Sequence, residues 1–239
     1  MSDHPRSLAD QTTAELGGRT SVLARQQADH VELDRLLHEL GRTAPDAQGL
    51  VLRRIYRLVF PHAFAEESVL WPVLRRVLPD GEELTLQVEQ EHQEVNELVT
   101  RLERLDPADP ERRTVLDRLT DVLREDVRDE EDLLLPRLQA RVQPARLRRL
   151  GVAWEVVRRV APTRPHPVVA RRPPGNVLAA LPLSVVDRAR DRTDAALQRG
   201  TPPERPGLVH LSRALTALAH RLEHLPPFRS GEDPSTARA

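Results

Sequence analysis

The chain of 239 residues is rich in charged side chains, but its formal net charge is only −1, which gives no reason to expect nucleic acid or an anionic membrane as a partner. The absence of cysteine excludes disulfides, iron–sulfur clusters and thiolate metal sites, so any metal must be bound through nitrogen and oxygen. No apolar run approaches the roughly 20 residues that span a bilayer, and the first residues do not resemble a secretory signal. We therefore expect a cytoplasmic protein.

Apolar residues recur at helical spacing from about residue 20 to residue 160, which predicts an all-α fold. Asp46 and Asp109 are candidate N-caps, and Pro110 suits the first position of a helix. Because the connections are short, neighbouring helices should be antiparallel, as in an up-down four-helix bundle over residues 19–142. The four predicted helices span residues 20–41, 47–78, 82–105 and 110–142.

Three prolines fall inside the predicted bundle helices, namely Pro61 and Pro72 in the second and Pro136 in the fourth. A proline has no backbone N–H and its ring clashes with the preceding helical turn, so each should bend its helix or end it locally.

The segments outside the bundle are predicted from their composition. Residues 1–18 are expected to be a flexible N-terminal tail, and residues 230–239 a disordered tail. Residues 143–229 are expected to form a helical and Pro-rich extension, which packs on the bundle because its amphipathic segments need a surface on which to bury leucine and valine. Its predicted helices span residues 145–160, 184–198 and 207–225.

An internal repeat relates the two halves of the bundle. At an offset of 64 residues, Glu66-Glu67 and Pro72 align with Glu130-Glu131 and Pro136, and at an offset of 62 His30 aligns with His92. A duplicated helical hairpin can pack about a pseudo-two-fold axis. Such packing would bring corresponding residues together at the centre.

Each predicted helix carries, near the middle of its apolar face, a residue able to bind a metal. Two helices carry a second such residue four positions later, which projects from the same face. Burial of an ionised carboxylate is costly unless a cation or hydrogen bonds compensate, and no arginine lies on these faces. A metal ion would supply the positive charge. The candidate ligands are His30, His62, Glu66, His92, Asp126 and Glu130.

Imidazole and carboxylate together suit iron or manganese, and also zinc, whereas calcium and magnesium prefer oxygen alone. Taken singly, each residue has a simpler interpretation. A lone histidine on an apolar face is more often an ordinary core residue, and the doublets Glu66-Glu67 and Glu130-Glu131 are more often solvated helix faces. The matched placement on four helices favours the metal site.

At these residues the sequence resembles the hemerythrin-like HHE cation-binding family, over about residues 30–140. The family has a histidine on the first helix, His-x-x-x-Glu on the second and one or two histidines on the third. Its fourth helix carries His-x-x-x-Glu or His-x-x-x-x-Asp. The matching elements are Asp29-His30, His62-x-x-x-Glu66-Glu67, Glu91-His92 and Asp126-x-x-x-Glu130-Glu131. The resemblance implies iron, as two carboxylate-bridged ions, and the residues alone leave manganese and zinc open.

By this resemblance, Glu66 and Glu130 would bridge the two irons. The remaining ligands would be His30 and His62 on one iron, and His92 and Asp126 on the other. The sequence departs from the family at two places. Val88 and Asn96 flank His92 where oxygen-carrying members have a second histidine, and Asp126 stands where histidine is usual. Asp126 binds either directly or through water. If it does not bind, the site could be mononuclear.

The resemblance implies a protein that binds or senses O2, peroxide or nitric oxide. Two alternatives stay open: a di-iron redox enzyme that decomposes peroxide, and a metal-free helical interaction module. A homodimer is a further prediction.

The remaining histidines are not predicted to bind metal. His38 is expected in solvent, and His166 in a loop without an acidic partner. The spacing of His220-x-x-x-His224 is interpreted as accidental.

Overall fold

The computed structural model describes residues 6–198 and 206–238, and over these residues the chain is helical and without β-strands. The all-α prediction is therefore confirmed. Within the described residues, no helix is both long and apolar enough to cross a bilayer. The helices are α1 (Val22–Arg42), α2 (Gln48–Ala65), α3 (Trp71–Val77), α4 (Gly81–Leu102), α5 (Pro110–Asp129), α6 (Leu135–Arg141), α7 (Pro144–Val160), α8 (Gly175–Gln198) and α9 (Pro206–Glu223), followed by a 3-10 turn at Pro226–Arg229.

The four rods of the bundle are α1, α2 with α3, α4, and α5 with α6, in the up-down arrangement predicted. The fourth rod begins as expected: Pro110 is its first residue, and the carboxylate of Asp109 accepts a hydrogen bond from the N–H of Glu111 at 2.8 Å. The cap predicted at Asp46 is wrong. The second rod begins after Ala47, which makes no side-chain cap.

The second and fourth rods each contain one π-helical turn, at Glu66–Leu70 and at Glu130–Leu134. Each turn ends two residues before a proline, Pro72 or Pro136, and contains the carbonyl with which that proline ring would clash in a regular helix. The wider turn relieves the clash, so these prolines change the helix locally without ending it. At Pro61 the α-helix simply continues.

Two apolar clusters fill the bundle, one toward each end. The first contains Leu23, Leu70, Trp71, Leu134 and Trp154. The second contains Leu36, Ile55, Val99, Leu119 and Leu123. On every rod the candidate metal ligands lie near the point in the sequence where residues of one cluster give way to those of the other. The polar layer is therefore enclosed by apolar side chains above and below.

Helix α7 joins the C-terminal extension to the bundle. It packs against α1 and α2, and its Leu147 and Trp154 belong to the first apolar cluster. Gly151 lies against the chain just before α1, where a Cβ atom would come within 2.1 Å of the carbonyl oxygen of Thr20. A larger residue at this position would push α7 away from the bundle.

Helices α8 and α9 pack on one another as a hairpin. The prediction that α8 begins at residue 184 is wrong, because the helix begins at Gly175 and runs through Pro182. Ala179 and Leu183 are fully buried in a third apolar cluster with Phe228. The stability gained from this packing offsets the loss of the helical hydrogen bond that the proline cannot make.

The N-terminal segment does not match the prediction of a flexible tail over residues 1–18. Residues 1–5 lie outside the described residues, but residues 6–18 pack on the bundle. Leu8 and Leu16 are fully buried in the first apolar cluster, and the N–H of Leu8 donates to the carbonyl of Glu131 at 2.9 Å. The two leucines give this polar segment enough apolar area to hold it in place.

The C-terminal segment also differs from the disordered tail predicted for residues 230–239. Residue 239 lies outside the described residues. Before it, Gln90 of α4 donates to Oγ of Ser235 at 3.0 Å, and Thr236 is 1% exposed. Polar contacts with α4 therefore position this segment, and such contacts leave no apolar pattern in the sequence.

Candidate metal centre

Three histidines converge in the polar layer, His30 from α1, His62 from α2 and His92 from α4. Each is at least nine-tenths buried. The ring centroids of His30 and His62 are 5.2 Å apart. Nε2 of His30 lies 3.1 Å from Oε2 of Glu130, and Nε2 of His62 lies 3.1 Å from Oε1 of Glu66. The three rings thus direct the same nitrogen towards a group of carboxylates.

The two glutamates are each the first residue of a π-turn and are almost fully buried. Glu66 lies between two histidines, because its other oxygen is 3.7 Å from Nε2 of His92. Glu130 contributes to two groups whose ligand atoms lie within 4.8 Å of one another, one with His30 and His62 and one with His92 and Glu66. This sharing is the geometry expected of a carboxylate between two cation positions.

Asp126, one helical turn before Glu130, completes the set of six. Its Oδ1 lies 3.5 Å from Nε2 of His92, and the residue is buried. The structure thus brings all six predicted residues together. Their role as ligands stays a prediction.

Several buried atoms of this layer have no hydrogen-bond partner among the described residues. Among the described residues, the basic side chains that lie within ion-pair distance of these carboxylates are histidines. Buried oxygen atoms without a donor are costly, and a cation among them would remove that cost. The donor set therefore fits a metal ion. The unpartnered atoms are Oε2 of Glu66, both carboxylate oxygens of Glu130, Oδ1 of Asp126 and Nε2 of His92.

A second carboxylate holds each ring from its outer side. Nδ1 lies 2.9 Å from Oε1 of Glu131 in His30, 3.1 Å from Oδ2 of Asp29 in His62, and 2.9 Å from Oε1 of Glu67 in His92. Because an ionised carboxylate only accepts hydrogen bonds, Nδ1 carries the proton in each ring. The lone pair of Nε2 then becomes available to a metal, and the ring cannot rotate freely.

These outer carboxylates were not among the residues predicted from the sequence. A signal was present, since Asp29, Glu67 and Glu131 each stand directly beside a candidate ligand in the sequence. Gln26, one turn before His30, was also missed. Its amide donates a hydrogen bond to the Glu66 carboxylate, which thus has a third partner besides His62 and His92.

The C-terminal extension reaches the outer shell of the centre through α7. Nη1 of Arg158 lies 3.2 Å from Oδ2 of Asp29, the carboxylate that holds His62. Trp154 sets its ring at right angles to that of His62, with centroids 5.4 Å apart. Removal of α7 would therefore open the site to solvent and release Asp29.

The extension also covers α4 beside the centre. Oδ1 of Asn96 accepts a hydrogen bond from the N–H of His166 at 3.0 Å, so this residue faces the extension rather than a metal. Nη1 of Arg171 lies 3.8 Å from Oε1 of Glu67, which holds His92. At the position four residues after His92, an amide that joins the extension thus replaces a second histidine.

The clustered charges shift the pKa values of the layer. Burial by itself lowers the pKa of His30, but Glu130 and Glu131 outweigh it and raise that pKa to about 9. Burial likewise lowers the pKa of His92, but the charge of Asp126 and the hydrogen bond that His92 donates to Glu67 raise it to about 10. The carboxylates therefore favour protons on the imidazoles, and a metal ion must displace these protons to bind.

A small cavity of about 20 Å³ adjoins the centre. This is room for one water-sized molecule. Apolar side chains, including Leu33, Val59 and Leu123, line it beside the three histidines and Asp126. A diatomic or water-sized ligand fits this space, and a larger substrate does not.

The prediction for His166 is wrong. Its imidazole is buried between two carboxylates, with Nε2 3.1 Å from Oδ2 of Asp187 and Nδ1 3.1 Å from Oε2 of Glu223. These partners come from α8 and α9, which are far away in the sequence. Only the packing of the hairpin brings them to this loop.

The two other histidine predictions concern surface positions. His38 is exposed beside Asp34, as expected. His220 and His224 lie one turn apart on α9, and with Glu223 they offer ligand atoms within 4.8 Å. Nδ1 of each histidine is already bonded, to Glu223 and to a backbone carbonyl respectively.

The fold and the site define a class of protein, a four-helix bundle with a buried histidine and carboxylate site suited to a cation. The family model described as the Hemerythrin HHE cation binding domain matches residues 21–138. The bundle of this chain therefore belongs to the hemerythrin HHE cation-binding family.

A relative was found among curated proteins. The chain is 25% identical over 131 residues to an uncharacterized hemerythrin-like protein of Schizosaccharomyces pombe, a match that covers 54% of this chain and 64% of the relative. No solved structure matches the chain. The C-terminal extension lies outside the region that the family model covers.

Proposed function

We propose that this protein is a non-haem iron protein that binds or senses O2, or a related small species such as peroxide or nitric oxide. The centre would comprise two ions held by His30, His62, Glu66, His92, Asp126 and Glu130. A cytoplasmic location and a homodimer belong to the same proposal and rest on the sequence alone.

One observation carries the proposal: five buried ligand atoms of the layer, from Glu66, Glu130, Asp126 and His92, lack a hydrogen-bond partner among the described residues. Nitrogen and oxygen donors in this mixture suit iron, manganese or zinc. The family description supports a cation, and the resemblance to hemerythrin-like proteins supports iron.

The geometry supports a role for each ligand. His30 and His62 would hold one ion, and His92 with Asp126 would hold the other. Glu66 and Glu130, which have histidines on both sides, would be shared between the two ions. Iron at these positions would supply reversible binding of a small molecule at an open coordination position. The chain itself orients the rings through Asp29, Glu67 and Glu131 and excludes bulk water with apolar side chains.

The size of the cavity favours binding or sensing of a diatomic ligand. The space of about 20 Å³ beside the imidazoles accommodates a water-sized molecule. This agrees with a role in which a small molecule enters and changes the charge of the centre.

The test is metal content and spectroscopy of the full chain produced with ample iron. We expect about two irons per chain and a visible spectrum that changes on addition of O2 or nitric oxide. Catalytic loss of added peroxide, many turnovers per chain, would replace the proposal with the enzyme alternative. A folded protein without bound metal would establish the metal-free helical module instead.

A matched pair of variants locates the metal. Glu66→Ala should lose most of the bound iron, because it removes the carboxylate between the two positions. Glu83→Ala on α4, at an exposed position outside the layer, should retain it. Equal iron content in the two folded variants would contradict the assignment of Glu66.

A further inference from the structure

A second and much larger cavity lies between the bundle and the C-terminal extension. It has a volume of about 1150 Å³, which is large enough for a small organic molecule. Leu52 and Tyr56 of α2 and Leu102 of α4 line one side, while Arg190 of α8 and Ala217 of α9 line the other. None of the residues that line this groove lines the cavity of the metal centre.

The charges along the groove are unbalanced in favour of cations. Three acidic residues, Glu103, Asp194 and Glu223, face six arginines. A positive wall beside a buried apolar surface is complementary to an anion that carries an apolar group. The arginines are Arg53, Arg104, Arg112, Arg164, Arg190 and Arg213.

Arg190 differs from its neighbour Arg164. Arg164 is paired, with Nη2 at 3.0 Å from Asp191 and close to Asp194. Arg190 is 9% exposed, makes no ion pair or hydrogen bond with any described residue, and its Nε is buried without an acceptor. Burial of an unpaired guanidinium is costly, so a fold that contains one points to a partner supplied from outside.

The titration of Arg190 agrees with this geometry. Burial and the positive charge of Arg164 lower the pKa of the Arg190 guanidinium from its ordinary value. The acidic residues nearby, Glu103, Asp187 and Asp194, do not compensate fully. An anion in the groove would reverse this effect.

We propose that the groove binds a small organic acid, whose oxyanion group, a carboxylate or a phosphate ester, pairs with Arg190 and whose apolar part contacts Leu52 and Tyr56. The planar guanidinium can donate two parallel hydrogen bonds to either group. The site is formed jointly by the bundle and the extension, so it requires the full chain.

The first test is calorimetric titration of the full chain with hexanoate and with phenyl phosphate. Hexanol, phenol and inorganic phosphate serve as probes of the apolar part and of the anion alone. We expect one molecule of at least one organic anion to bind per chain, at least tenfold more tightly than its uncharged analogue and than inorganic phosphate. The stronger of the two anions identifies the head group. Failure of both to bind at millimolar concentration overturns the proposal.

The second test uses Arg190→Gln, with Arg113→Gln as control because Arg113 is an exposed arginine on α5. Loss of the charge-assisted hydrogen bonds should weaken binding about tenfold or more in Arg190→Gln and leave it unchanged in the control. The thermal midpoint of Arg190→Gln should stay equal to that of the wild type or rise, since no internal pair is lost. Unchanged affinity, or a lowered midpoint that shows a structural role for the guanidinium, would overturn the assignment. Neither result depends on whether the centre in the bundle holds metal.

Discussion

Residues that are adjacent in the sequence contribute to the centre from two sides: one lies in the buried layer, and its neighbour contacts that layer from outside. Glu66 lies within the buried layer beside Nε2 of His92, while the next residue, Glu67, holds His92 from outside. In the same way, Glu130 lies within the layer and Glu131 lies outside it, because neighbouring residues in a helix point in directions about 100° apart. A substitution at an outer position therefore acts on the metal through the orientation of a histidine.

Glu67→Gln tests this relation at one residue. The variant keeps an acceptor for Nδ1 of His92 but removes the negative charge that makes the ring a better donor to a metal. We expect the affinity for metal to fall about 10- to 100-fold, with the fold retained. Competition titration against a chelator measures the change.

The matched control is Glu83→Gln, which exchanges the same groups on the exposed surface of α4. It should bind metal as the wild type does. If Glu67→Gln also bound metal with unchanged affinity, the carboxylate would have no part in holding His92 for ligation.

At the scale of helices, two local features position the centre. The π-turns begin at Glu66 and Glu130, and the extra residue in each turn changes the direction of the side chains that follow. Helix α7 lies close to the start of α1 because Gly151 has no side chain there. The first feature directs the Glu66 and Glu130 carboxylates, and the second brings Trp154 against His62.

Gly151→Ala tests the close approach of α7. The new Cβ would come within 2.1 Å of the carbonyl oxygen of Thr20, so α7 must shift. We expect the free energy of unfolding to fall by about 1–3 kcal/mol, as for other cases of overpacking. Urea denaturation followed by circular dichroism gives this value.

Gly41→Ala serves as the control, because a Cβ at this position in α1 meets no atom within 4 Å. The gain in helix propensity should leave stability unchanged or raise it by up to about 1 kcal/mol. Equal effects of the two substitutions would contradict the packing described for α7.

At the scale of the molecule, His166 joins the bundle to both helices of the hairpin. Its N–H donates to Asn96 of α4, and its ring lies between Asp187 of α8 and Glu223 of α9. The backbone carbonyl of His166 also accepts a hydrogen bond from Arg171. Burial by itself lowers the pKa of His166, but the two carboxylates raise it to about 9.

The raised pKa predicts a dependence of stability on pH. Because the folded pKa of about 9 lies above the unfolded value near 6.5, protonation of His166 stabilises the fold fully below about pH 6.5. This contribution, up to about 3 kcal/mol, is lost as the pH rises through 9. Comparison with His166→Gln isolates it from the other histidines.

The measurement is urea denaturation of both proteins at pH 6 and pH 9.5, in the same metal state. The difference in unfolding free energy between wild type and variant should be larger at pH 6. A difference that is equal at the two pH values would show that His166 does not change protonation in this range.

The sequence alone determined the helical bundle and the set of candidate ligands. Helical spacing places His62 and Glu66, or Asp126 and Glu130, on one face of one helix, and the internal repeat matches the two halves. Such relations are local, so they depend only on the geometry of a helix. The outer carboxylates are adjacent to candidate ligands in the sequence, but the sequence does not show which histidine each of them holds.

Only the tertiary structure decided which side chains meet across helices. Glu67 holds His92, and Asp187 with Glu223 holds His166. Nε of Arg190 finds no acceptor among the described residues. The rotation and packing of separate helices set all of these relations. The early start of α8 and the buried Leu8 have the same cause. Burial in a core assembled from distant segments outweighs what proline content or polarity predicts locally.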